Sequence, residues 1–178
     1  MIKVIAFDLI GVLAYEKDIV LSAEEEKLER LFGPNLSDED YLNSALKITD
    51  KDVITITKNI INKLYEIKDK DIFKKIKVVN SDIKLLIATN HVSLVRKFIE
   101  NSFEMVDDII ISSQIHKIKP NIDFYEYILD KYNINADELL FFDDNEENVQ
   151  SAKSIGINAV KVQNNTDLLQ KIVQEIKW

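Results

Sequence analysis

Asp8, Thr89 with Asn90, Ser112 with Ser113, Lys119, and the pair Asp143-Asp144 are the residues of this chain whose types could do chemistry together. Four of these groups each follow a short apolar run, and Lys119 lies in the loop after the Ser112-Ser113 group. Three carboxylates brought into one crevice raise each other's pKa or demand a cation. Ligands that are all oxygen suit Mg²⁺, which keeps several waters and takes one or two carboxylates plus substrate phosphate. A hydroxyl, a lysine and a magnesium ion around one free carboxylate form a phosphate-handling set. The carboxylate can attack phosphorus and form an aspartyl-phosphate. The cations neutralise charge spread over the transferring group.

The apolar runs are the elements that must position these groups. Ile2 to Phe7 is short and rich in β-branched residues, ends at Asp8 and is followed by Gly11, so it reads as a buried strand. Further strands are expected at Lys84–Ala88, Asp108–Ile111, Leu139–Phe142 and Asn158–Val162. Helices are expected at His91–Asn101, Ile122–Tyr132, Glu146–Ile155 (stopping at Gly156) and Thr166–Lys177. Near-continuous apolar strands alternating with helices predict an α/β fold with a doubly wound parallel sheet. In such sheets ligands bind outside the carboxyl ends of the strands, where the polar groups fall. Residues 15–68 break the alternation. Ser22-Ala23-Glu24-Glu25 is a capping-box signature, Gly33 would stop that helix, and Ser37-Asp38-Glu39-Asp40 opens another. Asp50 to Ile67 carries Val53, Ile54, Ile56, Ile60, Ile61 and Leu64 on one helical face. The segment is expected to be all helical, a small insertion after the first strand, leaving 1–14 and 69–178 as the core.

Composition narrows the classes. The chain has 178 residues, 46% hydrophobic and 30% charged, which fits one compact soluble domain. It has no cysteine, which excludes disulfides, thiolate metal sites and thiol catalysis. A net charge of −8 argues against nucleic-acid binding. The opening MIKVIAFDLIGVL is broken at Asp8 and lacks a cleavage site, and no window reaches the ~18 uncharged apolar residues of a membrane span. The expectation is a cytoplasmic protein with no membrane partner, monomeric or homodimeric.

Four segments then resemble, in order and across almost the whole chain, the haloacid dehalogenase-like (HAD) hydrolase superfamily. They are Phe7-Asp8-Leu9-Ile10-Gly11-Val12-Leu13, Leu86-Ile87-Ala88-Thr89-Asn90, Ser112-Ser113 with Lys119-Pro120, and Phe142-Asp143-Asp144 through Asn148-Val149 to Gly156. The resemblance implies a Rossmann-like core with a helical cap of the first type at 15–68. It implies a Mg²⁺-dependent phosphatase of a small phosphorylated metabolite. Asp8 would be the nucleophile and a metal ligand, with the Ile10 carbonyl and Asp144 as further ligands and Asp143 as a ligand or a supporting group. Thr89, with the backbone or side chain of Asn90, would bind the phosphoryl oxygens. Lys119 would hold the phosphate and orient Asp8.

One position departs from the pattern. Many phosphatases of this family carry an aspartate two residues after the nucleophile as general acid and base, and here that residue is Ile10. Such catalysis contributes about 10²–10⁴ in rate. Tyr15, Glu16 and His91 are the candidates for a replacement by sequence position. Ile10 also fits a 2-haloacid dehalogenase, although the acidic pair does not, and it fits a weak or inactive relative that acts as a binding protein. A phosphoacceptor receiver is disfavoured, because its acidic pair would sit at the first strand. Each group also has a simpler reading. Asp8 alone could cap a turn, Asp143-Asp144 could cap the Glu146 helix, Thr89 could cap the His91 helix, and Lys119 could be a solvated loop residue. His91 is expected on the surface at a helix start, and His116 without a catalytic role. Tyr125 and Tyr127 are expected to pack, and the Glu24-Glu25-Glu26 run to be a solvated first turn.

Overall fold

The computed structural model describes residues 1–32, 37–164 and 166–176. The expected helix stop at Gly33, the end of the last helix at Lys177, and Trp178 lie outside these residues. Along the chain come β1 (Val4–Phe7), β2 (Ala14–Glu16), α1 (Ala23–Glu29), α2 (Asp38–Ala45), α3 (Val53–Leu64), β3 (Tyr65–Ile67) and α4 (Ile72–Val79). They are followed by β4 (Lys84–Thr89), α5 (Arg96–Ser102), β5 (Asp108–Ile111), α6 (Ser112–Ile115), α7 (Ile122–Tyr132), β6 (Leu139–Asp143), α8 (Glu146–Ser154), β7 (Asn158–Lys161) and α9 (Leu168–Glu175).

The sheet has the order β5-β4-β1-β6-β7, and every pairing in it is parallel. It is buried on both faces, which is why its strands read as apolar runs rather than alternations. Odd and even positions of each strand go to different cores. Ile5, Phe7, Leu85, Ile87, Ile109, Ile111, Leu140 and Phe142 face Phe73, Ile76, Ile99 and Ile172 of α4, α5 and α9. Val4, Ala6, Leu86, Ala88, Ile110 and Phe141 face Phe124, Tyr125 and Ile128 of α7 and Val149 and Ala152 of α8. Helices on both faces make the fold doubly wound and Rossmann-like, as expected. The order reverses at β1, so the crevice at the carboxyl ends of β4, β1 and β6 is the place such sheets use for ligands.

The segment 15–68 is helical only in its interior. Its two ends pair as an antiparallel ribbon, Tyr15 opposite Glu66 and Glu16 opposite Tyr65. Runs of three residues are too short to show a period, so this ribbon was hidden inside the helical pattern. Within it, Ser22 and Glu25 form the expected capping box at α1, with Glu24, Glu25 and Glu26 in its first turn. The expected helix at His91–Asn101 starts later, as a 3-10 turn at Ser93–Val95 running into α5. Among the described residues, no helix is long and apolar enough to cross a membrane.

Candidate active site

Register brings the acidic groups together. Phe7 pairs with Phe142 across β1 and β6, and Asp8 donates its N–H to the Phe142 carbonyl at 2.8 Å, so Asp8 lies beside Asp143 at the strand ends. Thr89, the last residue of β4, ends the neighbouring strand and is buried. Asp8, Asp143 and Asp144 each offer a carboxylate oxygen within 4.8 Å of the others. Lys119 reaches into this cluster from the loop after α6. Its ammonium donates to Asp8 Oδ1 at 2.8 Å and to Asp143 Oδ2 at 2.7 Å, and its side chain is 1% exposed. The solvated-lysine reading of Lys119 is therefore excluded.

Asp143 has the fullest set of partners. Its Oδ1 accepts from the Asn145 N–H at 2.9 Å and from Asn148 Nδ2 at 3.0 Å. Its Oδ2 accepts from Lys119 and again from Asn148 Nδ2 at 3.0 Å. A carboxylate has about four lone-pair sites, and here each oxygen carries two contacts. Asp143 is thus the buried counter-charge of Lys119. Asn148, on α8 five residues after Asp143, is a site residue that sequence reasoning named only as part of a motif; its hydrogen bonds to Asp143 become visible only when α8 is folded back onto β6. The cap of α8 is Asn145, whose side chain accepts from the Glu147 N–H, so neither aspartate serves as that cap.

Asp144 is placed by a glycine. Gly11 has φ +89, and a Cβ there would collide with the Asp144 carboxyl group. The position needs both the left-handed backbone and the missing side chain. The turn closes through the Ala14 N–H on the Leu9 carbonyl and the Gly11 N–H on the Ala14 carbonyl, both 2.8 Å, which leaves the Ile10 carbonyl out of its hydrogen bonds. Lys68 ties this turn to the second ribbon strand, donating to the Gly11 carbonyl at 2.5 Å.

The electrostatics follow from burial. Desolvation pushes Asp8 up to about 6, with Lys119 opposing and Asp143 adding to the rise. Burial alone would lower Lys119, but the Asp8 and Asp143 carboxylates outweigh it and raise its pKa. Asp144 is raised, first by burial and then by Asp143. Lys119 is bonded to Asp8 and Asp143, and Lys68 acts on Asp144 from farther off, so three carboxylates face two ammoniums and the cluster is short of positive charge.

His91 is not on the surface. It is 4% exposed, and its ring lies 5.1 Å from that of Phe32 in the inserted segment. Its Nδ1 lies 3.1 Å from the Val92 carbonyl, which can only accept, so Nδ1 carries the hydrogen. Nε2 therefore accepts from the Tyr65 hydroxyl at 3.1 Å, joining β3 to the turn after Thr89. Thr89 caps no helix, since the next helical residues begin only at Ser93. Ser112 Oγ accepts from the His91 N–H at 3.1 Å, while Ser113 Oγ is buried without a partner among the described residues. The Asn90 side chain is engaged with the backbone of Lys119. Tyr125 packs as expected, with its hydroxyl on the Asn148 carbonyl. Of the candidates for a replacement acid, Tyr15 is 37% exposed on β2, and Glu16 lines a cavity of about 940 Å³ beside the turn after β1.

Comparison with known proteins agrees with this architecture. A predicted HAD-like family hydrolase from Porphyromonas gingivalis superposes with a TM-score of 0.74 at 20% identity, covering 98% of this chain and 97% of its own. A HAD family enzyme from Bacteroides thetaiotaomicron, solved in complex with magnesium and inorganic phosphate, gives a TM-score of 0.74 at 15% identity over 96% of this chain and 99% of its own. A HAD phosphatase from Thermococcus onnurineus gives 0.63 at 18% identity over 93% of this chain and 88% of its own. At these identities the structures show a shared fold. The model of the haloacid dehalogenase-like hydrolase family matches residues 5–162 and so takes in every residue of the cluster. On the extent of that match, the chain belongs to the haloacid dehalogenase-like hydrolase family.

Proposed function

We propose that this hydrolase is a Mg²⁺-dependent phosphatase of a small phosphorylated metabolite, with Asp8 as the nucleophile. The observation that carries the reading is the setting of Asp8. Its carboxylate is held at 2.8 Å by a buried ammonium and lies within 4.8 Å of two more carboxylates.

The donors fit a hard divalent cation. They are all oxygens, and the three carboxylates outnumber the Lys119 ammonium among them and the Lys68 ammonium that acts on Asp144. Asp8, Asp144 and the Ile10 carbonyl would hold the ion. Asp143 is the weaker candidate ligand because its oxygens already serve Lys119, Asn145 and Asn148. Bound there, Mg²⁺ would supply charge neutralisation at the phosphoryl oxygens. The structures with magnesium and phosphate in the Bacteroides thetaiotaomicron enzyme support the choice of ion.

The residues of the chain do the remaining work. The Thr89 hydroxyl and the Lys119 ammonium bind the phosphoryl oxygens, beside the N–H of Asn90. An Asp8 oxygen attacks phosphorus, the bond from phosphorus to the ester oxygen breaks, the ester oxygen leaves with the electron pair and takes a proton from solvent, and an aspartyl-phosphate forms. Water then attacks phosphorus, the bond to Asp8 breaks, a proton of the water passes to solvent, and inorganic phosphate and the free carboxylate return. The helical insertion at 15–68 acts as the cap, excluding bulk water and reading the substrate. The fixed ammonium beside Asp8 lowers the cost of the charge that develops, because it is already in place.

The test is a panel of phosphate esters assayed with and without Mg²⁺, beside Asp8→Asn. Magnesium-dependent turnover that disappears in the variant supports the proposal. Equal turnover in the variant overturns it, and halide release from a 2-haloacid without Mg²⁺ would replace it with the dehalogenase reading.

A further inference from the structure

We infer that Asn90 is a positioning residue, which acts by clamping the backbone of Lys119 rather than by binding substrate with its side chain. Asn90 Nδ2 donates to the Lys119 carbonyl at 2.8 Å, and the Lys119 N–H donates to Asn90 Oδ1 at 3.0 Å. A carbonyl only accepts and an N–H only donates, so the partners fix which end of the amide is which. The side chain thus imitates a neighbouring peptide and engages both polar groups of the Lys119 backbone.

The clamp has consequences for the long side chain it roots. Lys119 runs from a backbone held by Asn90 to an ammonium held by Asp8 at 2.8 Å and Asp143 at 2.7 Å. Both ends of a flexible stem are fixed, and the ammonium is buried, so its position needs no rearrangement when charge develops. The clamp also spans two elements. Asn90 follows Thr89 at the end of β4, while Lys119 belongs to the loop before α7, 29 residues later. The hydroxyl and the ammonium assigned to the phosphoryl group therefore keep their separation through Asn90. The role given to Lys119 rests on the phosphatase reading; the clamp itself rests on the hydrogen bonds.

The experiment uses the full chain with Asn90→Ala and reads two things. One is steady-state hydrolysis of p-nitrophenyl phosphate with Mg²⁺. The other is the ¹⁵N–¹H resonance of the Lys119 ammonium, assigned by its loss in Lys119→Met. A displacement near 1 Å costs about 10²-fold in rate, so kcat is expected to fall about 10- to 100-fold with KM changing less than about threefold. The ammonium resonance is expected to shift or broaden while the amide spectrum elsewhere is kept. Where Asn90→Ala does not fold, Asn90→Ser, which is too short to make either bond, takes its place. An unmoved ammonium resonance overturns the clamp, and with a lowered kcat it assigns Asn90 to direct substrate contact. An unchanged kcat with a moved resonance also overturns the positioning role. A wild-type protein without turnover would sink the phosphatase reading and leave the resonance to decide the clamp.

Discussion

His91 makes the protein acid-sensitive by a calculable amount. Burial lowers its pKa from the ordinary 6.5 to about 4, against smaller raising effects from the Val92 carbonyl and Asp38. The folded protein holds the neutral ring, because burial penalises the charged form. The unfolded chain takes up the proton first as the pH falls. Stability from this group is thus complete above about pH 6.5 and is lost between there and about pH 4. At about 1.4 kcal/mol per unit of difference, the loss is about 2 kcal/mol by pH 5 and about 3 kcal/mol by pH 4. His91→Gln removes the titration and keeps an amide within reach of Tyr65. Urea unfolding of both proteins from pH 7 to pH 4 isolates the effect, since other titrating groups cancel in the difference. The wild-type curve should fall more steeply by about 3 kcal/mol. Parallel curves would mean that the ring titrates alike in both states and that burial does not hold it neutral.

Lys119→Met should abolish turnover and cost about 3–5 kcal/mol of stability, because Asp143 would stay buried without its counter-charge; thermal unfolding and a phosphatase assay check both. Gly11→Ala should cost about 1–2 kcal/mol from the left-handed backbone and should also push Asp144 aside, read as a weaker Mg²⁺ dependence of activity. Ile10→Asp should raise hydrolysis of alkyl phosphates by about 10²-fold or more by supplying a proton donor for the leaving group; an unchanged rate on those esters would mean that another group already provides it.

The sheet and the cluster at its carboxyl ends were legible because both rest on patterns within short stretches. A strand buried on two faces must be apolar through its middle, and the apolar runs of β1, β4, β5 and β6 are followed in turn by Asp8, Thr89, Ser112 and Asp143. What stayed hidden depends on partners distant in sequence. The ribbon of Ala14–Glu16 with Tyr65–Ile67 pairs segments about fifty residues apart and has no period of its own. Helix α4 was missed because Ile72–Val79 is short, mixes lysines with β-branched residues, and starts at Asp71 without a side-chain cap. His91 looked like a surface residue until Phe32 and Tyr65 of the insertion folded over it. Asn148 stood only as a motif letter and Asn90 as a partner of the phosphoryl oxygens, whereas their hydrogen bonds to Asp143 and Lys119 exist only in the folded chain.

The mechanism stands or falls on a bond between Asp8 and phosphorus. Quenching the enzyme during turnover and reducing it with borohydride converts an acyl phosphate into an alcohol, which peptide mass spectrometry locates. Homoserine is expected at position 8, formed only when substrate and Mg²⁺ are both present. Steady turnover with an unmodified Asp8, or homoserine at another aspartate, would contradict it.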